Sequence, residues 1–372
     1  MKVFAVLALF VLLVFTVSSP VLALPGVGAR AMGMGGAYTA LARDITAAYW
    51  NPAGLVYSGL LVGDAMVAAG YDGNVSYDKL VELSNFEQFV EDNWEDEIDY
   101  KLGASGIMGL SVRGIGVSVI NWSTGSFVKD AADPIGPPAY FSSIDGNVMV
   151  KNCVALTFGT NLGSILPMGR ATAIGVNVRG VNAIYKRVHS DGGSSPASID
   201  FYDATGSGIG LDLGLQAEIL PKITVGLALR DLLTGMTLTG DQTHYDSMGY
   251  DGAPTGPSTV TDFEMTERAP THAVLGIAAE IPMTATFAAD VDMYDVKDVG
   301  TKTDWHFGAE SGIFTGFITP RIGYYTENGG KDANWTAGLG MGLGPIALNA
   351  AYGWNTDDPD ITSYVFSLSA AL

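Results

Sequence analysis

From residue 60 onward, apolar and polar residues alternate with a period of two. Ile209, Leu211, Leu213, Leu215, Ala217 and Ile219 fall on one face of a segment whose other face carries Gly210, Asp212, Gly214, Gln216 and Glu218. The split recurs with Trp335, Ala337, Leu339, Met341 and Leu343 against Thr336, Gly338, Gly340 and Gly342. It recurs again with Ile346, Leu348, Ala350, Tyr352 and Trp354 against Ala347, Asn349, Ala351 and Gly353. Side chains of a β-strand point alternately to its two faces, so the pattern predicts strands with one apolar and one small or polar face. Periodicity alone leaves open whether the apolar face turns inward, as in a soluble sandwich, or outward toward lipid.

Strand and turn lengths narrow the choice. The pattern predicts strands at 60–71, 99–111, 115–127, 142–163, 170–189, 206–220, 223–235, 264–281, 284–296, 302–314, 318–326, 333–344, 346–355 and 361–372. That makes about fourteen, each near or above the length a tilted strand needs to cross a bilayer. Long gaps at 72–98, 128–141, 190–205 and 236–263 alternate with tight turns at Arg113-Gly114, Pro221-Lys222, Pro282-Met283 and Gly344-Pro345. Long loops on one rim and short turns on the other are the habit of an antiparallel transmembrane β-barrel; a sandwich has no reason to alternate in this way. Tyr364, Phe366, Leu368, Ala370 and Leu372 carry the alternating face to the last residue.

Residues 24–59 break the pattern. They are rich in Gly and Ala and poor in large apolar groups, too little to build a core of their own. Asp44 is placed to cap a short helix, ITAAYW, that Pro52 and Gly54 stop. This stretch reads as an N-terminal plug, or hatch, packed inside the lumen. The Gly33, Gly35 and Gly36 cluster lacks the spacing and the preceding strand of a dinucleotide fold, so no cofactor is expected. Ahead of it, Met1-Lys2, an apolar run and Val21-Leu22-Ala23 form a secretory signal peptide over 1–23. The domain reading is therefore 1–23 signal peptide, 24–59 plug and 60–372 barrel.

Composition agrees. Glycine is abundant, at 48 of 372 residues, yet charged residues make up only 16 %. After the signal peptide, no run approaches the ~18 apolar residues of a membrane helix. A net charge of −20 argues against nucleic acid as a partner. The single Cys153 excludes an intramolecular disulfide framework. His189, His244, His272 and His306 show no metal spacing, and no ordered Ser, His and Asp set suggests an enzyme. Asp290, Asp292 and Asp295 invite a calcium reading, but strand alternation puts the first two on one face with no ligand loop after them.

The segment GARAMGMGGAYTALARD followed by AAYWNPAGL resembles the FadL/TodX superfamily of outer-membrane transporters for hydrophobic compounds, and in particular its PorV-like branch. Asn51, Pro52 and Ala53 match the NPA signature of that family. The motif covers about 30 residues and the remainder matches by architecture. The resemblance implies a fourteen-stranded barrel plugged by its N-terminal segment, a lipophilic ligand taken up among the outer loops and bound inside, and release through the wall on movement of the plug. Asn51 to Ala53 are then expected in the plug, helping to set its position.

If the apolar face meets lipid, the lumen receives Asn177, Arg179, Asp212, Gln216, Glu218, Arg230, Glu280, Asp290, Asp292, His306, Glu310 and Arg321. Unpaired charges there are costly, so Arg179, Arg230 and Arg321 are expected to pair with acids across the barrel, either to brace wall and plug or to line a polar path for substrate. Luminal glycines suit a filled lumen better than an open porin, which would want more luminal charge. In the first long gap, Leu80, Leu83, Phe86, Phe89, Val90 and Trp94 have helical spacing, as packing over the mouth or as a lid. The acidic run Asp357-Asp358-Pro359-Asp360 suits solvation, or divalent bridging to lipopolysaccharide.

The functional expectation is a plugged outer-membrane barrel passing hydrophobic small molecules, long-chain fatty acids or similar lipophiles. Its partners would be outer-membrane lipid, lipopolysaccharide and the lipophilic ligand. The rival is a PorV-like barrel that transports nothing and serves as a scaffold in protein secretion. An apolar pocket between plug and wall distinguishes the two, since a transporter needs one.

Overall fold

The computed structural model describes residues 27–59, 62–73, 97–129, 140–141, 143–163, 172–194, 198–248, 254–282, 284–296, 299–313, 316–358 and 361–371. The signal peptide and the amphipathic stretch at 80–94 lie outside the described residues. The first strands are β1 (Val62–Gly73), β2 (Ile98–Val112), β3 (Ile115–Lys129), β4 (Tyr140–Phe141), β5 (Ile144–Asn161) and β6 (Thr172–Ser190). Next come β7 (Gly193–Ser194), β8 (Ile199–Leu220), β9 (Ile223–Arg230), β10 (Gly235–Met248), β11 (Pro254–Glu267) and β12 (His272–Ile281). The last are β13 (Ala285–Val296), β14 (Gly300–Glu310), β15 (Ile318–Glu327), β16 (Asp332–Leu343), β17 (Ile346–Asn355) and β18 (Thr362–Ala371).

Fourteen strands close into one antiparallel ring, each bonded to its neighbours in chain order once β4, β7, β10 and β11 are set aside. First and last strands make the seam: β1 pairs with β18 from Val62↔Ala371 to Tyr71↔Thr362. Closure gives every strand of the ring a partner on both sides, as a bilayer demands.

The side-chain pattern fixes the direction of the faces. On β5, Val154 and Phe158 are 53 % and 46 % exposed, whereas the alternate residues Cys153, Ala155 and Thr157 are fully buried. On β16, Trp335, Leu339 and Met341 face out while Asn334 and Thr336 are buried. Trp305, Tyr352, Tyr364 and Phe366 extend the same outer surface. Apolar outside and polar inside is the reverse of a soluble sandwich and the arrangement of a transmembrane barrel.

The wall corrects the strand reading in two places: β8 begins at Ile199, inside the gap expected at 190–205, and the chain after β9 departs further. The gap expected at 236–263 is a hairpin of β10 and β11, and the single strand expected over 264–281 is broken between Glu267 and His272. β8 is long enough to serve two partners. Its inner half pairs with β9 from Leu213↔Leu229 to Leu220↔Ile223, and its outer half pairs with β10 from Ile209↔Gly235 to Ile199↔Tyr245. The interruption has local causes: Asp231 adopts a positive φ of 59°, and Pro270 offers no N–H to a ladder. Opposite this rim the turns are tight. Arg113 and Gly114 both take positive φ (49° and 83°), the geometry that lets two residues reverse twisted strands.

Candidate functional site

Residues 27–58 are short of strands and made of brief turns. A helix at Ala29–Gly33 ends where Gly35 and Gly36 turn left-handed, with φ of 62° and 76°. A second helix spans Ala47–Trp50, two residues shorter at its start than ITAAYW suggests, with Thr46 at its N-cap. Asp44 does not cap it directly. Its Oδ1 accepts from the Thr46 amide at 2.9 Å and from the Thr46 hydroxyl, an Asx-type turn that orients the chain just before the helix. Asn51 then runs extended, and Pro52 opens a 3-10 turn over Pro52–Tyr57, its missing N–H costing nothing at that position.

Asn51 uses its whole amide. Its Nδ2 donates to the carbonyls of Thr39 (2.9 Å) and Leu215 (3.0 Å), and its Oδ1 accepts from Ala53 N (3.2 Å). It thereby joins two turns of its own segment to strand β8. Other inner-face groups bind the same backbone. Gln216 donates to Thr39 and Ala42 carbonyls, Asn177 to the Ala48 carbonyl, and His306 Nδ1 to the Gly35 carbonyl at 2.8 Å. Asp290 accepts from the amides of Tyr38 (3.0 Å) and Thr39 (2.8 Å). Glycines on both the wall and the segment make this approach feasible. A Cβ on Gly214 would lie 2.8 Å from Pro52 Cδ, and one on Gly35 would lie 2.6 Å from Tyr324 N.

The luminal charges fall into groups. Glu310 lies between Arg30 and Arg321: Arg30 Nε donates to it at 3.0 Å, Arg30 Nη2 also bonds it, and Arg321 Nε donates at 2.9 Å. Arg179 Nη2 donates to Asp212 (2.8 Å) and Asp231 (2.6 Å), while Asn177 donates to the other Asp212 oxygen. Arg230 donates to Asp292 at 2.7 Å and lies over the rings of Tyr49 and Trp50; His272 Nδ1 bonds the same carboxylate at 2.9 Å. Glu280 meets Arg43 and Lys222 at 3.3 and 3.4 Å, and Glu218 accepts from the Lys222 amide. Arg179, Arg230 and Arg321 were expected to reach across the barrel. Their partners instead come from neighbouring or next-but-one strands and, for Asp231, from the loop after β9.

Tyr38 and Asp231, both off the wall strands, have shifted acidities. Burial raises the Tyr38 phenol well above its usual range, and the nearby Arg30 guanidinium offsets only part of this. Tyr38 therefore stays neutral and donates to Asp44 at 3.1 Å. Burial also disfavours charge on Asp231. Arg179, the Thr234 hydroxyl and Arg230 outweigh it and hold that carboxyl below its usual range.

Between this segment and the wall lies a half-open cavity of about 240 Å³. Tyr49 contributes from the segment, and Trp122, Met149, Val181 and Met236 from the wall. Lys151, Arg179, Asp231 and Glu267 form its polar side. Sequence reasoning missed Arg30, Lys151 and Glu267. Arg30 was visible as one of two cations, with Arg43, in a Gly/Ala-rich stretch, whereas Lys151 and Glu267 meet only through the fold. Among the described residues, no group of three or more His, Cys, Asp or Glu side chains is arranged to hold a metal ion.

No family model and no curated protein sequence matches the chain. Solved structures do. The toluene transporter TodX of P. putida aligns over 94 % of this chain and 99 % of its own, at 12 % identity and a TM-score of 0.63. The toluene transporter TbuX of Ralstonia pickettii aligns over 94 % and 99 %, at 13 % identity and 0.63. A FadL homologue from Pseudomonas aeruginosa aligns over 95 % and 99 %, at 12 % identity and 0.55. At such identities the likeness is one of fold, and at that level the resemblance read from the N-terminal motif holds.

Proposed function

We propose that this barrel passes hydrophobic small molecules across an outer membrane, with residues 24–59 as its plug. The reading includes export by the 1–23 signal peptide and a setting of outer-membrane lipid and lipopolysaccharide. The observation that carries it is the cavity between residue Tyr49 and the wall residues Trp122, Met149 and Met236. A scaffold barrel needs no such space, whereas a transporter needs an apolar site that a ligand can enter and leave. Toluene and monoaromatic hydrocarbons are the cargo of barrels with this fold. The motif resemblance widens the class to long-chain fatty acids and similar lipophiles.

In this reading Asn51, Pro52 and Ala53 latch the plug. Arg30 and Glu310 anchor its first turn, and the remaining luminal ion pairs brace the wall beside it. Cargo enters the cavity from the outer rim and leaves when the latch loosens. The experiment is uptake of a lipophile into proteoliposomes, alongside native mass spectrometry of the protein extracted in mild detergent. Protein-dependent uptake that changes on altering Asn51-Pro52-Ala53 is the expected result. No uptake, together with a stoichiometric protein companion in the spectrum, would replace transport by the secretion-scaffold reading.

A further inference from the structure

The wall also carries a hollow on its outer face. A groove of about 480 Å³ crosses β5, β6, β8 and β9. Its sides include Phe158, Ile174, Leu213 and Leu227, each 39–46 % exposed, so it is continuous with the apolar belt that faces lipid. Val176 and Leu215 lie half-buried within it, beside the backbone of Gly159, Gly175 and Gly214. The groove sits in the half of the wall near the tight turns. Phe158 pairs with Ile115 just after Arg113-Gly114, and Gly159 N donates to the Gly114 carbonyl at 2.7 Å. Short turns of such barrels face the periplasm, where the adjoining leaflet of an outer membrane is phospholipid and not lipopolysaccharide.

An apolar hollow beside hydrocarbon does not stay empty. Water finds no polar partners there, and a void forfeits the dispersion contacts of its lining. A lipid tail is the neighbour at hand, and its headgroup has a counterpart. Arg113 is exposed, and its side chain has no ion-pair or hydrogen-bond partner among the described residues. Lys222, on the turn between β8 and β9, is instead met by Glu280 at 3.4 Å. A guanidinium can grip a phosphate through two parallel hydrogen bonds.

Behind the groove stand Asn51, Pro52 and Ala53. Gly159, Gly175 and Gly214 are direct partners across β5, β6 and β8, and their inner side carries no side chains. Asn51 Nδ2 donates to the Leu215 carbonyl at 3.0 Å, and a Cβ on Gly175 or Gly214 would collide with Pro52 or Asn51. Lipid and segment therefore press on opposite sides of the same bare backbone. Whatever fixes the shape of one side favours the other, and such linkage is reciprocal.

We infer that the groove is a phospholipid site: one acyl chain lies between Phe158, Val176 and Leu227, the phosphate meets Arg113, and occupancy and the seating of residues 27–58 reinforce each other. This goes beyond transport, since a scaffold barrel would hold the lipid equally well.

The test titrates the intact protein in mild detergent with palmitoyl-oleoyl phosphatidylglycerol and resolves each bound lipid by native mass spectrometry. The first lipid should bind at least about tenfold more tightly than the second. Val176→Trp, which fills the groove, should remove that distinction. Leu348→Trp, on the lipid face of β17, should keep it. Arg113→Asn tolerates the left-handed backbone there (φ 49°) and should weaken the first step about five- to tenfold. Lipid should also slow proteolysis within residues 27–59 of the unaltered protein, but not in Val176→Trp, and Asn51→Ala should weaken the first step. Val176 and Arg113 lie off the segment, so their variants report on the site even where Asn51→Ala fails to fold. Equivalent lipid steps in the unaltered protein, or a first step that Val176→Trp leaves unchanged, overturn the site. A dimer that Val176→Trp dissolves also overturns it, by giving the groove to a second copy. Tight first-step binding with lipid-independent proteolysis overturns the coupling. Absence of proteoliposome uptake removes the transport reading and leaves the lipid site standing.

Discussion

Single side chains separate buried from exposed charge. Glu310 serves Arg30 and Arg321 with only 8 % of its side chain exposed, whereas Lys186 and Asp203 pair at 2.9 Å with more than half of each side chain in solvent. Glu310→Ala strands two cations and should cost about 3–5 kcal/mol in urea unfolding from detergent or bilayer. Asp203→Ala should cost at most ~1 kcal/mol in the same assay. Backbone conformation sets another limit. Gly35→Ala forces a left-handed Ala against Tyr324 and should destabilise by at least about 1–2 kcal/mol, read as faster proteolysis within residues 27–59. Asp231, held below its ordinary acidity, contributes stability that is complete above the usual carboxylate range and is lost as pH falls through its lowered value. Asp231→Asn should therefore flatten the decline in thermal stability below about pH 4 while lowering stability at pH 7. The Arg179 cluster was legible as residue types on a luminal face. Its pairings were not, because they depend on strand register and on the loop at 231–234.

Among the elements, apolar alternation located the strands that cross the wall. It failed at β10 and β11 for a physical reason. Thr237, Thr239 and Asp241 on one strand and Ser258, Asp262 and Glu264 on the other are exposed and polar, so the hairpin carries no continuous outward apolar face for the pattern to detect. Its ladder lies with β8 and within itself, outside the ring of fourteen. Removing its outer part, residues 241–262, should leave a folded barrel, seen as unchanged heat-modifiable mobility on electrophoresis. Loss of that mobility would mean that the hairpin supports the wall. Asp44 makes a similar point at shorter range: the sequence shows a good capping residue, but only geometry reveals that it closes a turn ahead of Thr46.

For the molecule as a whole, strand count and outward apolar face were readable because a bilayer leaves so few solutions. The cavity was not readable, since its lining gathers Tyr49, Trp122, Lys151 and Glu267 from distant parts of the chain. The outer belt makes a direct prediction. Phe158→Arg places a charge on the lipid face and should cost up to about 2–4 kcal/mol, depending on its depth, in folding into lipid vesicles. The seam between β1 and β18 adds a constraint in time. A ring locked by its earliest and latest strands stays open until β18 is in place, and until then the sheet carries two bare margins, so the ten residues of β18 act as its clasp. Residues 27–59 precede β1 in the chain. In the proposed plugged barrel, the wall can then be wound around a segment already present, with no need to thread that segment through a finished cylinder.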